Sequence, residues 1–283
     1  MAPSENAETA ARAGDPAQVV PCHLDVAAAD AAARLLNGAG RMTISCHDGV
    51  RGHLLDTSFH GAAQDGTRYM VVAPQEGQWP HMPVERPQHV SMTITAEAPV
   101  AEIRMTVAEL SGHAAVTRCT EDEETALLSE GPLPSEIART FTCWPGSQLW
   151  RVEPLRMTIH HIPGCHMLDR EALAPRPSWP GPAEELETVE LLRSEWGTHL
   201  TDLLTELRPA STPIAEHSDA PGGVRCATGR AYPVSLSDRE LTLLLVEGPH
   251  RDTVAVPLPH TVSSPEGFVE ALREAIGAST ESR

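Results

Sequence analysis

The sequence predicts an α+β chain: an antiparallel β-barrel followed by a small α-β-β-β-α unit. Three observations predict it. Short runs of strand-forming residues recur at close spacing between residues 41 and 162, with turn signals between them. Residues 174–182 hold four prolines in nine positions and read as a semi-rigid linker. Beyond them, one amphipathic repeat precedes three strand-like runs and a last helical pattern. A chain of 283 residues suits two such units at roughly 100–200 residues each.

Taken in order, residues 1–18 are small, polar and aperiodic, and read as a disordered tail without the basic and apolar regions of a secretory signal. Residues 24–36 are Ala-rich, with Gly38 placed as a C-cap, which predicts a helix. Residues 41–46 read as a strand, followed by a turn at Asp48-Gly49. Residues 50–60 and 68–73 read as the next strands, joined by the turn Gln64-Asp65-Gly66. Residues 77–87 form a proline-punctuated loop. Residues 90–95 alternate strictly, the period of a half-buried strand. Residues 101–118 read as a hairpin-like stretch with Gly112 at a bulge. Two short helices, 121–128 and 135–141, and a strand over 148–162 complete the first unit.

In the second unit, Leu186, Val189, Leu192, Trp196, Leu200, Leu203 and Leu207 step by three or four, which predicts an amphipathic helix. Strands are expected over 224–228, 240–247 and 253–258. A final helix opens at Ser264-Pro265 and ends near Gly277, with Ser263 and Glu266 at capping-box spacing. The implied division is a tail over 1–18, a barrel over 19–170, a linker over 171–185 and an α/β unit over 186–283.

The charge is 21 basic against 39 acidic residues, −18 in all, and every basic residue is arginine. That balance argues against a nucleic-acid partner and against docking on anionic lipid. The absence of lysine excludes a lysine Schiff base and a P-loop. No run approaches the roughly 20 apolar residues of a transmembrane helix. Six cysteines, at 22, 46, 119, 143, 165 and 226, contain no C-x-x-C pair and match neither a disulfide framework nor a zinc ribbon. The expectation is a cytoplasmic protein with mostly reduced thiols.

Several stretches together resemble a known arrangement. Ala32-Ala-Arg34-Leu-Leu, Met92-Thr-Ile-Thr95 running on through Gly112, and Leu149-Trp-Arg-Val-Glu-Pro154 resemble the opening helix, middle strands and closing strand of the FMN-binding split-barrel superfamily, the pyridoxamine-phosphate-oxidase-like proteins. Ser194-Glu-Trp-Gly-Thr-His199, with 233–245 and 252–257, resembles the small α/β domain of its heme-utilisation branch. Ser194 stands where that branch usually has a histidine, and Ile162-Pro-Gly-Cys-His166 replaces its glycine-rich run. The resemblance implies an antiparallel split β-barrel, a homodimer with its ligand between protomers, and heme as cofactor. It also implies FMN as the alternative cofactor, held by Arg51, Arg68, Arg104 or Arg118.

Histidine is the abundant functional side chain, with 14 copies. A heme site asks for a neutral imidazole in an apolar slot with a cation at its mouth. His53, His60, His81, His89 and His113 are the barrel's candidates. His53 and Arg51 stand two residues apart, on one strand face, as a possible ligand and propionate partner. His160-His161-Ile-Pro-Gly-Cys165-His166 is the densest ligand cluster, and its Pro163-Gly164 turn would fold Cys165 and His166 back towards His160. His199 is read as a hydrogen-bonded residue at the core edge, and the Cys22-His23 and Cys46-His47 dipeptides are set aside because strand neighbours face opposite ways. The resulting candidate set is His53, Arg51, His113, Arg68 and His166 for the cofactor, with His53, His113 and His166 for the metal. The expected function is heme binding, extending to heme degradation or iron recycling. The alternatives are an FMN-dependent oxidoreductase and a non-catalytic heme-regulatory or chaperone-like module. The expected partner is a small-molecule or tetrapyrrole ligand.

Overall fold

The computed structural model describes residues 20–47, 52–73, 86–130, 133–162, 164–197, 200, 230–247 and 250–281. Its elements run α1 (Val20–Leu36), β1 (Arg41–His47), β2 (Gly52–Asp56), β3 (Phe59–Ala62), β4 (Arg68–Val72), β5 (Gln88–Glu97) and β6 (Thr106–Arg118). Then come α2 (Glu121–Glu130), α3 (Ser135–Cys143), β7 (Gln148–His161), β8 (Gly164–Leu168) and α4 (Pro182–Trp196). The chain closes with β9 (Arg230–Leu236), β10 (Glu240–Glu247), β11 (His250–Pro257) and α5 (Pro265–Glu281).

Eight strands form one antiparallel sheet in the order β2-β1-β5-β6-β7-β4-β3, with β8 added on β7. The 14-residue β7 makes the sheet curl. Along one edge it pairs with β6. Its other edge serves two partners in succession: β4, from Gln148↔Val72 to Val152↔Arg68, and then β8, from Met157↔Leu168 to His161↔Gly164. At the opposite end of the curl, the Thr57 amide and hydroxyl both donate to the Met42 carbonyl, at 3.2 and 3.0 Å, and bring the start of β3 against β1. The result is an α+β half-barrel, in agreement with the predicted fold class.

Period-2 alternation explains which side of the sheet is filled. On β5, Val90, Met92 and Ile94 are buried while His89 and Ser91 are exposed. These residues join Met42, Ile44, Leu110, Trp150, Met157 and Ile159 under α1, which contributes Ala28, Ala32, Leu35 and Leu36. A smaller cluster, with Tyr69, Val71, Ile137 and Leu149, packs beneath α3. A third surrounds the three-stranded sheet β11-β10-β9 with residues of α4 and α5, including Leu192, Leu243, Phe268 and Leu272. Val100, Ile103 and Val107, from the β5–β6 connection and the start of β6, belong to that same cluster. The proline-rich segment is tied to α1: the Asn37 side-chain amide donates to the Arg176 carbonyl at 3.0 Å, and Arg176 pairs with Asp30 at 3.5 Å.

Several local readings change. The single strand expected over 50–60 breaks at Thr57-Ser58 into β2 and β3, because Thr57 turns its polar groups to Met42 rather than continuing the ladder. Residues 106–118 are one strand rather than a hairpin. Residues 164–168 add β8. Helix α4 starts four residues before the apolar repeat, with Pro182 at its N-terminus, and ends at Trp196 before Gly197. Helix α5 continues past Gly277, and its N-terminal cap is Ser264 rather than Ser263: the Ser264 hydroxyl accepts from the Gly267 amide at 3.1 Å. The tail over 1–18, most of the 77–87 loop, the turn at 48–49, the strand over 224–228 and residues 201–207 lie outside the described residues. Among the described residues no helix is long and apolar enough to cross a membrane.

Two glycines are dictated by geometry. Gly38 has φ +119° and ends α1, with the Ala39 amide donating back to the Arg34 carbonyl at 3.1 Å. Gly112 sits where β6 meets β7, and a Cβ there would lie 2.2 Å from the Arg156 carbonyl oxygen. The ladder shifts register one step on, between His113 and Ala114. Gly112→Ala should therefore lower unfolding stability by about 1–3 kcal/mol, as overpacking does. Chemical denaturation followed by circular dichroism measures this, and an unchanged midpoint would contradict it.

Candidate functional site

A cavity of about 530 Å³ lies where α1, the proline-rich segment, the end of β7 and the β9–β10 turn meet. That volume falls within the range of small-molecule and cofactor pockets. Its apolar wall includes Ala31, Val107, Ile162 and Leu236, and its polar wall includes Asp30, Arg34, His161, Asp238 and Glu240. Arg34 joins three elements: its Nη1 donates to the Leu236 carbonyl and its Nη2 to Glu185 of α4 at 2.7 Å.

Three nitrogens belonging to this wall are shut off from water and lack a hydrogen-bond partner among the described residues: Arg34 Nε, His161 Nε2 and Trp179 Nε1. Leaving such a group unpaired costs about 1–3 kcal/mol. Native structures contain few of them, and each calls for an explanation, a bound group among them. Burial, helped by the positive potential of His166, lowers the His161 pKa to about 4. Its imidazole is therefore neutral at physiological pH, the form that ligates metals. Burial pushes the Asp238 and Glu240 carboxyls up, with Asp30 repelling Asp238 and the Thr242 hydroxyl partly restoring the Glu240 carboxylate.

A second cavity of about 530 Å³ opens at the other end of β7, with Arg68, Arg151 and Arg170 in its wall. Arg68 is 7% exposed. Its Nη2 donates to the Leu173 carbonyl at 2.8 Å, and its Nε has no partner among the described residues. Among the described residues no carboxylate pairs with Arg68, whereas Arg151 pairs with Glu123 and Arg170 with Glu153 at 3.1 Å. Burial and then the nearby Arg176 push the Arg68 pKa down.

The sequence-predicted residues fall in different places. Arg51 lies outside the described residues, and His53 is placed by its backbone alone, on β2 opposite Cys46. His113 is exposed on β6, in one cross-strand row with the exposed Ser91 and Arg156, on the outer side of the sheet. His166 is on β8 opposite the buried Ile159, hence on the inner side, and its ring centroid is 5.5 Å from that of His161. His113 and His166 therefore stand on opposite faces. His60 is a buried structural residue, its Nε2 donating to the Leu35 carbonyl at 2.7 Å. His89 is exposed, and His81 and His199 lie outside the described residues. The cluster does fold back, with Cys165 facing His160 across the β7–β8 pair, while Pro163 lies outside the described residues.

Sequence reasoning missed Trp179, Asp238 and Glu240, because a linker and a hairpin turn carry no periodic signal. The one available sign was a tryptophan inside a proline-rich stretch, a large side chain needing a place to pack.

No family model and no curated protein matches this sequence. Solved structures do resemble it. A heme-binding protein from Mycobacterium smegmatis is 16% identical, with 89% of this chain and 98% of that chain covered and a TM-score of 0.47. A protein of unknown function from Agrobacterium tumefaciens is 15% identical, with 88% and 94% covered and a TM-score of 0.40. ChuZ from Campylobacter jejuni is 7% identical, with 57% and 63% covered and a TM-score of 0.32. At these scores the likenesses carry no argument about ligand or chemistry. The curled eight-stranded sheet with its separate three-stranded sheet fits the split-barrel architecture that the sequence motifs resemble.

Proposed function

We propose that the chain binds a flat tetrapyrrole, heme, in the cavity between α1 and the β9–β10 turn. The observation that carries this reading is the neutral His161 imidazole, whose Nε2 has no hydrogen-bond partner among the described residues, in a wall that is part apolar and part polar. His161 would hold the iron, while Arg34 and Arg239, both in the wall, would meet the ring carboxylates. His166, expected as a ligand, stands in this reading instead as the neighbour whose charge helps hold His161 neutral. Bound heme would supply iron redox and oxygen chemistry. In that setting this chain's residues bind the ring, keep the imidazole unprotonated and shield one side from water. Heme degradation or iron recycling is the activity we attach to the site.

Hemin titration tests the binding step. The wild type should show a shifted Soret band, and His161→Ala should weaken binding by at least about tenfold, the scale on which perturbing a metal site acts. An identical titration for the variant would overturn the assignment. Loss of the band under reductant and oxygen then reports degradation, and a stable band marks a binding module without turnover.

A second reading rests on Arg68. A buried guanidinium that no carboxylate pairs with among the described residues, beside a cavity, suits the phosphate of FMN. FMN at about 100 times its dissociation constant should then add about 2.7 kcal/mol of stability. Arg68→Met should remove that gain, and no change in melting temperature with FMN would remove this reading.

A further inference from the structure

The wall of the His161 cavity holds two further nitrogens that are shut off from water and lack a partner among the described residues, Arg34 Nε and Trp179 Nε1. A histidine nitrogen donates or accepts according to its tautomer, so His161 alone leaves the chemistry of its partner open. A guanidinium and an indole nitrogen only donate. The group these two call for is therefore a hydrogen-bond acceptor. Both donors are already desolvated in the folded chain, so an acceptor gains each bond without stripping water from them.

The fold brings the two donors to one wall and holds both side chains. The Asn37 side-chain amide donates to Ser178 Oγ at 2.9 Å and to the Arg176 carbonyl at 3.0 Å, which ties residues 176–178 to the end of α1. Arg34 lies one turn before Asn37, on the same side of that helix. Trp179 follows Ser178, and its indole packs against Phe268 of α5 with ring centroids 5.5 Å apart. Arg34 is held by the Leu236 carbonyl and Glu185 through its Nη1 and Nη2. Asp30, one turn before Arg34, pairs with Arg176 at 3.5 Å. Asp238 and Glu240 stand in the same wall and oppose an anion, so an anionic group there depends on donors to offset them. A carboxylate suits such donors best, because it offers two oxygens and its hydrogen bonds are about twice as strong as those between neutral groups.

We propose that Trp179 is a specificity-determining residue of this cavity: its indole N–H, together with Arg34 Nε, receives a carboxylate of the bound ring. The proposal rests on the tetrapyrrole reading and adds to it an uncharged donor that selects carboxylate-bearing rings over rings with alkyl arms alone.

The test compares the affinity of the full chain for hemin with that for iron etioporphyrin, which has alkyl groups in place of both carboxylate arms, in one detergent buffer. The wild type should bind hemin at least about tenfold more tightly. Trp179→Phe keeps an aromatic ring beside Phe268 and lacks the N–H. It should weaken hemin about tenfold or more, the worth of a hydrogen bond to a charged group, and change iron etioporphyrin by less than about twofold. Trp144→Phe, at an exposed tryptophan that ends α3 outside the cavity wall, should change neither. Equal weakening of both rings in Trp179→Phe would assign the residue to packing, and unchanged hemin affinity would leave its N–H without a role; either result overturns the proposal. Equal binding of the two rings by the wild type, a comparison that needs no variant to fold, overturns it while the tetrapyrrole reading stands. A wild type that binds neither ring overturns both. His161→Ala separates the two claims further: it acts through the iron common to both rings and should weaken them alike.

Discussion

Trp150→Ala should be the most damaging single core substitution, lowering the unfolding free energy by about 3–5 kcal/mol. Trp150 is 1% exposed and sits in the part of β7 that pairs with β4 and β6 at once, opposite Met70 and Arg118. Removing the indole leaves a cavity among Met70, Val116 and their neighbours, on strands already fixed on both edges. The sheet has little freedom to collapse into that space, which places the cost at the upper end for such changes. Trp150→Phe keeps a ring there and should lose less than half as much, measured by urea unfolding. Equal stability of the wild type and Trp150→Ala would mean that the core does not depend on this crossing point.

Acidification should destabilise the chain through His60. The side chain is 3% exposed, and burial lowers its pKa from 6.5 to about 4, opposed only in part by its bonds to the Leu35 and Ala39 backbone. Between these values the unfolded chain takes up a proton that the folded chain refuses. Stability from this group is complete above pH 6.5, falls as the pH drops towards 4, and changes no further below that. The full loss is on the order of 3 kcal/mol. His161 shifts the same way and adds to the slope over the same window. Glu124, Asp238 and Glu240 have raised pKa values and act oppositely: the folded chain holds their protons longer, so they offset part of the loss above their ordinary range. His60→Gln retains a donor for the Leu35 carbonyl but does not titrate. Its unfolding free energy should fall less steeply between pH 6.5 and 4 than that of the wild type, and parallel slopes would contradict the assignment.

How far the residues themselves disclosed this molecule depends on the kind of signal they carry. The alternation of 90–95 and the cap at Gly38 are local, and both elements stand where the sequence places them. The break at Thr57 is not local: it depends on the Met42 carbonyl, 15 residues away in the chain. Strand β8 is five residues long, and although the Pro163-Gly164 turn signal pointed to a fold-back, the strand exists because β7 offers it a free edge beyond β4. The cluster 160–166 was legible as a density of ligand-forming residues. Its division between two faces was not, because it follows from register: Cys165 falls opposite His160 and His166 opposite Ile159. The cavity was the least legible feature. Its walls come from α1, the proline-rich segment, β7 and the β9–β10 turn, far apart in sequence and without a shared motif. Arg34 appears in a stretch resembling an opening helix, yet only its bonds to Leu236 and Glu185 reveal what it joins.

The claim at the centre of this account is that the His161 imidazole meets the iron of a bound ring. Replacing His161 by glycine and adding hemin, first alone and then with free imidazole, tests it most directly. The account predicts that the variant loses the shifted Soret band and that imidazole, entering the space left behind, restores it. A variant that keeps the wild-type band without imidazole would contradict the claim and return the ligand to another histidine or to none.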